Sequence, residues 1–272
     1  MKTDEELETG YGPATPPGDN LCNDYVRGLA TSFPALAGAR GERLRGDDEL
    51  GLTLTDGGVD AMFANVAVAG RPLGEDEWRE AGERMHAFYG GHPGGSFLVF
   101  SAWPTPDLAP LGFGRVGHPP LMVRMPGPLA VEPVAGLEVR PVADAAAADD
   151  WERVLVDGYP EPGLQPVQPG CLLPEAALSV ERWRHWVGYL DGRAVGTASA
   201  WVGDHHVDVT FVATLPEARG RGVGRALTAT ATGAAVGRPA VLVSSDPGRP
   251  VYERLGYRAV LRFTLWAGHR RP

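Results

Sequence analysis

Val212-Ala213-Thr214-Leu215-Pro216-Glu217-Ala218-Arg219-Gly220-Arg221-Gly222-Val223-Gly224-Arg225, followed by Ala226-Leu227-Thr228, is the most informative run in the chain. It reads as a strand that ends at Thr214, a glycine-rich turn, and the start of an apolar helix. Glycines at alternate positions let backbone approach a ligand without Cβ obstruction, and the exposed N–H groups of the helix start favour a diphosphate. Three arginines put positive charge in the same place. A P-loop needs Lys followed by Ser or Thr after its second glycine, whereas Gly224 is followed by Arg225-Ala226. A dinucleotide site is nearer, since Asp246 could serve as a ribose acid at the end of the next strand. The glycines, however, give GxGxG where that fingerprint wants GxGxxG, and the turn does not lie in an opening βαβ unit.

Thirty residues on, Val251-Tyr252-Glu253-Arg254-Leu255-Gly256-Tyr257 places a tyrosine before a Leu-Gly-aromatic turn. The first stretch resembles the acetyl-CoA segment of GNAT N-acetyltransferases, whose pattern R/Q-x-x-G-x-G/A is filled by Arg219, Gly222 and Gly224, and the second is similar to the family's later signature. The resemblance covers roughly residues 136–267. It implies an α/β fold of the α+β type, with a mixed, strongly bent sheet flanked by helices. It also implies acetyl-CoA (coenzyme A) as cosubstrate, the pantetheine arm running beside Val212, Ala213 and Thr214, and the pyrophosphate held by Arg219, Gly220, Arg221, Gly222, Val223, Gly224 and Arg225.

Acyl transfer from a thioester to an amine needs a neutral amine, a polarised carbonyl and a protonated or stabilised leaving thiolate. By its family position Tyr252 is the candidate acid for the thiolate. Asp208, six residues before Thr214, is the candidate base; strict strand alternation puts it on one face with Thr214 and with His206, and either could relay a proton through water. Solvent can also take that proton. A backbone N–H within residues 212–214 would polarise the carbonyl. The loop over residues 159–174, with Tyr159, Glu161 and Gln165, is the expected acceptor pocket, and Trp183, Trp186 and Trp201 are read as core. The function expected is N-acetyl transfer to a primary amine of a small molecule or peptide. The alternative is a non-catalytic, CoA-binding regulatory protein.

Residues 137–141, 185–190, 194–201, 207–214 and 240–245 read as strands, as does a final run over 257–266. Residues 144–157, 222–236 and 249–255 read as helices. In the first half, helices are expected over 21–36 and 75–89 and strands over 51–55, 59–68 and 97–103, with a late strand and linker in the Pro/Gly-rich region 115–138. Val59-Asp60-Ala61-Met62-Phe63 answers Val207-Asp208-Val209-Thr210-Phe211 at a shift of 148, and later elements repeat at 143 to 147. We read this as a tandem repeat: residues 1–20 a disordered leader, 21–131 a degenerate lobe, and 132–272 the coenzyme-binding lobe. In the first lobe Leu108 stands where the second has Tyr252, and the turn Ala69-Gly70-Arg71-Pro72-Leu73-Gly74 lacks the glycine pairs and arginine cluster.

Net charge is −9, with 18 acids against 10 bases in residues 1–130 and near balance afterwards. An acidic surface repels phosphate backbones, so no nucleic-acid partner is expected. Cys22 and Cys171 stand alone, without the spacing of a metal or redox site, and no metal is expected. Neither a signal peptide nor a membrane span is visible, so a cytoplasmic protein without a membrane partner is expected. A homodimer is compatible with this reading.

Overall fold

The computed structural model describes residues 21–41, 43–47, 49–90, 95–159 and 162–269; the leader expected over residues 1–20 lies outside them. The chain opens with α1 (Leu21–Ala39), then β1 (Leu44–Asp47), β2 (Leu52–Thr55), β3 (Val66–Ala69), α2 (Glu75–Tyr89), β4 (Ser96–Ser101), β5 (Phe113–Gly117) and β6 (Pro120–Arg124). It continues with β7 (Leu137–Pro141), α3 (Ala145–Gly158), β8 (Trp183–Leu190), β9 (Arg193–Val202) and β10 (Val207–Thr214). The last elements are α4 (Val223–Thr232), β11 (Ala240–Val243), α5 (Arg249–Arg254), β12 (Arg258–Arg262) and β13 (Thr264–His269). Two mixed sheets flanked by helices result, as the α/β reading with two lobes requires.

The order of strands departs from a division near residue 132. The first sheet runs β1-β2-β3-β4-β13-β5 and the second β12-β6-β11-β10-β9-β8-β7. Each lobe therefore lends one strand to the other: β6 pairs antiparallel with β11 and β12, and β13 pairs antiparallel with β4 and β5. A cut at residue 132 leaves each sheet one strand short. The run expected as one strand over 257–266 is two strands, because the chain leaves one sheet at Phe263 to enter the other. Phe263 is fully buried and donates its N–H to Pro119 O, at the matching crossover before β6.

The interlobe core shows why the exchange is stable. Tyr25, Val26 and Leu29 of α1, Val66 and Val68 of β3, Leu121 and Val123 of β6, Val241 of β11, and Phe263 and Leu265 form one buried cluster. Its members come from both sheets. Fully burying each such side chain is worth about 1.5–3 kcal/mol, so separating the lobes would expose a core.

The duplication holds in topology, but the pentapeptide match does not. Residues 59–63 are not a strand: the side chain of fully buried Asn65 accepts from Gly57 N (2.9 Å) and donates to Val59 O (2.9 Å) and Ala61 O (3.0 Å), which folds that segment into a compact turn. The true counterpart of β10 is β3. Val66 pairs in parallel with Leu98 as Val207 pairs with Ala240, and each parallel pair is bridged by one helix, α2 or α4.

Candidate active site

The second sheet is split where β10 leaves β11. These strands pair in parallel only at Val207 and Asp208, and from Val209 onward they diverge. On its other edge β10 stays paired with β9, but the register shifts between Thr210 and Ala213, and Phe211 sits at φ 50°. A non-glycine residue in that region costs of order 1 kcal/mol. Thr197 Oγ1 donates to Phe211 O at 2.9 Å and holds the bulge. The open wedge leaves one edge of Val212, Ala213 and Thr214 facing a groove.

That groove, about 820 Å³, is lined by Val212, Ala213, Thr214, all seven residues from Arg219 to Arg225, and Tyr252. Gly220 (φ 75°) and Gly222 (φ 87°) turn the chain in the left-handed region. No side chain caps α4, and Gly222 is its N-cap. Arg225 Nε is buried without a hydrogen-bond partner. Arg219 is differently engaged: it donates to Thr214 O and Gly158 O, both at 3.1 Å, so it builds the wall that joins β10 to the end of α3. Uncapped helix amides, a nearby guanidinium with a free donor and a turn without Cβ atoms together fit a phosphate group.

The first lobe supplies its own anion at the equivalent place. α2 begins with Glu75, Asp76 and Glu77; the Glu77 carboxylate accepts from Gly74 N (2.7 Å) and from Arg71 (2.6 Å). A phosphate there would meet a carboxylate already in position. Leu108 is fully buried. These observations support the reading of that lobe as degenerate.

A second cavity, about 600 Å³ and mainly apolar, lies between the sheets. Its walls come from α1, β4, β5, β10, β11 and the exchanged β13. Val212, Tyr159, Ser245 and Tyr252 line both cavities, so the two meet there. Tyr252 is only 8% exposed, and Gly248 makes room for its ring, since a Cβ there would lie 2.9 Å from Tyr252 Cε2. Its hydroxyl takes no hydrogen bond among the described residues, and burial, then the nearby Tyr159, hold its pKa well above the ordinary tyrosine value. It remains a proton donor throughout the physiological range.

Asp208 is placed elsewhere. The bulge at Phe211 breaks the alternation: Asp208 lies opposite Trp201 and Ala213 opposite Thr197, which puts Asp208 and Ala213 on one face and Thr214 on the other. Asp208 is 2% exposed, Oδ1 has no partner, and it lines neither cavity. Desolvation pushes its pKa up to about 7. His206 precedes β10, packs against Tyr25 and Gly28 of α1, and is lowered by burial to about 4. Of the expected acceptor loop, Tyr159 reaches both cavities, Gln165 bonds Asp157 instead, and Glu161 lies outside the described residues. The buried carboxylate of Glu152 holds that loop through the amides of Gly170, Leu172 and Leu173. Trp183 and Trp201 are core, Trp186 packs against it, and none lines either cavity. Sequence reading missed the walls from the first half, Leu29, Phe33, Phe63 and Phe100 among them, because they are joined only by the interlobe packing.

Residues 181–259 match the model of the acetyltransferase (GNAT) domain. That match lies within the second lobe. The chain is similar over 89% of its length to 95% of a GCN5-related N-acetyltransferase from Kribbella flavida, with 25% identity and a TM-score of 0.63. A putative GNAT-family acetyltransferase from Novosphingobium aromaticivorans (18% identity, 90% of this chain, 99% of that one, TM-score 0.55) shares the fold. So does a GCN5-related N-acetyltransferase from Sphaerobacter thermophilus (14%, 92%, 94%, 0.52). No curated protein matches the chain. Among the described residues, no helix is long and apolar enough to cross a membrane.

Proposed function

We propose that this chain transfers an acetyl group from acetyl-CoA to a primary amine of a small molecule or peptide by direct attack. The observation that carries this reading is the meeting of the uncapped, arginine-rich groove and the apolar interlobe cavity at Val212 and Tyr252. Bound acetyl-CoA supplies an activated acyl group with a thiolate leaving group. The amides of Gly220, Arg221, Gly222, Val223, Gly224 and Arg225, with the free donor of Arg225, hold its diphosphate, and Arg219 fixes the turn that presents them. The open edge of Val212, Ala213 and Thr214 aligns the pantetheine arm, and one N–H there polarises the thioester carbonyl.

As the amine nitrogen bonds to the carbonyl carbon and the C–S bond breaks, Tyr252 gives its hydroxyl proton to sulfur, and the proton released by the amine leaves to water at the cavity mouth. Solvent then reprotonates the phenolate. Asp208 is not assigned this base role, since it reaches neither cavity. Free-thiol release from acetyl-CoA, measured against a panel of primary amines, tests the reading. Amine-dependent release is expected; coenzyme binding without release on any amine would leave a coenzyme-binding protein and no enzyme.

A further inference from the structure

Four phenylalanines bound the interlobe cavity, Phe33 of α1, Phe63, Phe100 of β4 and Phe211 of the β10 bulge, and all four are only half-buried. Each comes from a different segment, and the cavity is where their uncovered faces converge. Uncovered aromatic surface gathered in one recess is stabilised by an apolar, flat occupant, and about 600 Å³ lies in the usual range of a small-molecule site. Charge is confined to the rim. His118, Arg262 and Asp246 are its exposed charged or imidazole groups, and Arg262 donates to the backbone His118 O at 2.8 Å while keeping its charge. Asp246 is exposed and has no ion-pair partner among the described residues, which leaves one free carboxylate where the cavity opens.

Resting on the acetyltransferase reading, we infer that the acceptor is a primary amine carrying a one- or two-ring apolar body, the body between the four phenylalanines and the ammonium entering past Asp246. A ring-bearing amine satisfies both features at once. A polyamine or aminosugar would leave the aromatic faces uncovered. Both lobes contribute to the pocket, so the degenerate first lobe acts as the specificity wall of the second.

Equilibrium binding to the protein alone, by calorimetry, separates this inference from the proposed activity because it needs neither coenzyme nor turnover. Tryptamine and 2-phenylethylamine are expected to bind at least about tenfold more tightly than ethanolamine and putrescine. Asp246→Asn should weaken the ring-bearing amines about fivefold and leave acetyl-CoA affinity unchanged. Val116→Arg puts a cation at a rim position that is 51% exposed, so it can be made without disturbing the core, and it should weaken the same amines. Equal or tighter binding of putrescine or ethanolamine, or no binding of either ring-bearing amine, overturns the inference. Turnover on polar amines with the ring-bearing ones inert overturns it while leaving the acetyltransferase reading intact. Ring-bearing amines that bind while thiol release fails on every amine support the pocket and sink the reaction.

Discussion

Tyr252→Phe is expected to lower kcat for acetyl transfer about 10²- to 10³-fold while leaving the Kd for acetyl-CoA within a factor of two or so of wild type. The ring that packs near Tyr257 at 6.1 Å is retained, so neither the α5 packing nor the groove is disturbed. Only the donor is lost. The hydroxyl has no protein partner among the described residues, so its removal leaves no buried group unpaired and should change stability by less than about 1 kcal/mol. Since burial holds the phenol protonated well past its ordinary range, the wild-type rate should show no alkaline fall from this group below pH 10. A variant with unchanged kcat would move the proton source elsewhere, to water or to Tyr159.

Asp208→Asn is expected to stabilise the protein at pH 8 and to change it little at pH 4. The carboxyl titrates near 3.8 when unfolded and near about 7 when buried, so the native state keeps a proton that the unfolded chain has lost. Its contribution is fully present below pH 3.8 and falls as pH rises to about 7, a loss of up to about 4 kcal/mol across that window. His206 and His185 run the opposite way. Burial lowers them from 6.5 to about 4 and about 3, so each contributes stability that is present above pH 6.5 and lost as pH falls through those values. Wild type thus sets two proton gains on unfolding against one loss between pH 4 and 6.5, and the variant has only the gains. Its urea-derived stability should climb more steeply with pH over that range, with acetyl transfer kept within a few-fold. Parallel curves for the two proteins would show that Asp208 is not a buried neutral acid; a collapse of turnover would return it to the chemistry.

What was legible in the sequence is what lies consecutive in the chain. The strand ending at Thr214, the alternate glycines, the exposed helix start and Tyr252 before Leu255-Gly256-Tyr257 are local features, and the structure places them around one groove. The degenerate turn of the first lobe was equally readable, although the reason became clear only with the Glu77 carboxylate folded onto Gly74 N. Features that depend on distant partners were not legible. β6 and β13 look like ordinary final strands of their own halves, and pairing across the lobes is decided by the packing around Phe263. One residue of bulge at Phe211 was enough to turn Asp208 away from the face assigned by simple alternation, and nothing in Val209-Thr210-Phe211-Val212 announces it. The acceptor cavity draws on segments scattered from α1 to β13, so it had no sequence signature.

Calorimetric titration of acetyl-CoA into wild type and Gly224→Val asks whether the turn before α4 grips the diphosphate of acetyl-CoA. Gly224 lies within α4 without a left-handed φ, and a Cβ there would sit 3.3 Å from Thr214 Oγ1, so valine narrows the groove without straining the backbone. An unchanged melting temperature in the absence of ligand would confirm an intact fold. Saturable, one-to-one binding to wild type and an affinity at least about tenfold weaker in the variant are expected. Failure of wild type to bind, or equal affinity in both proteins, would contradict that grip.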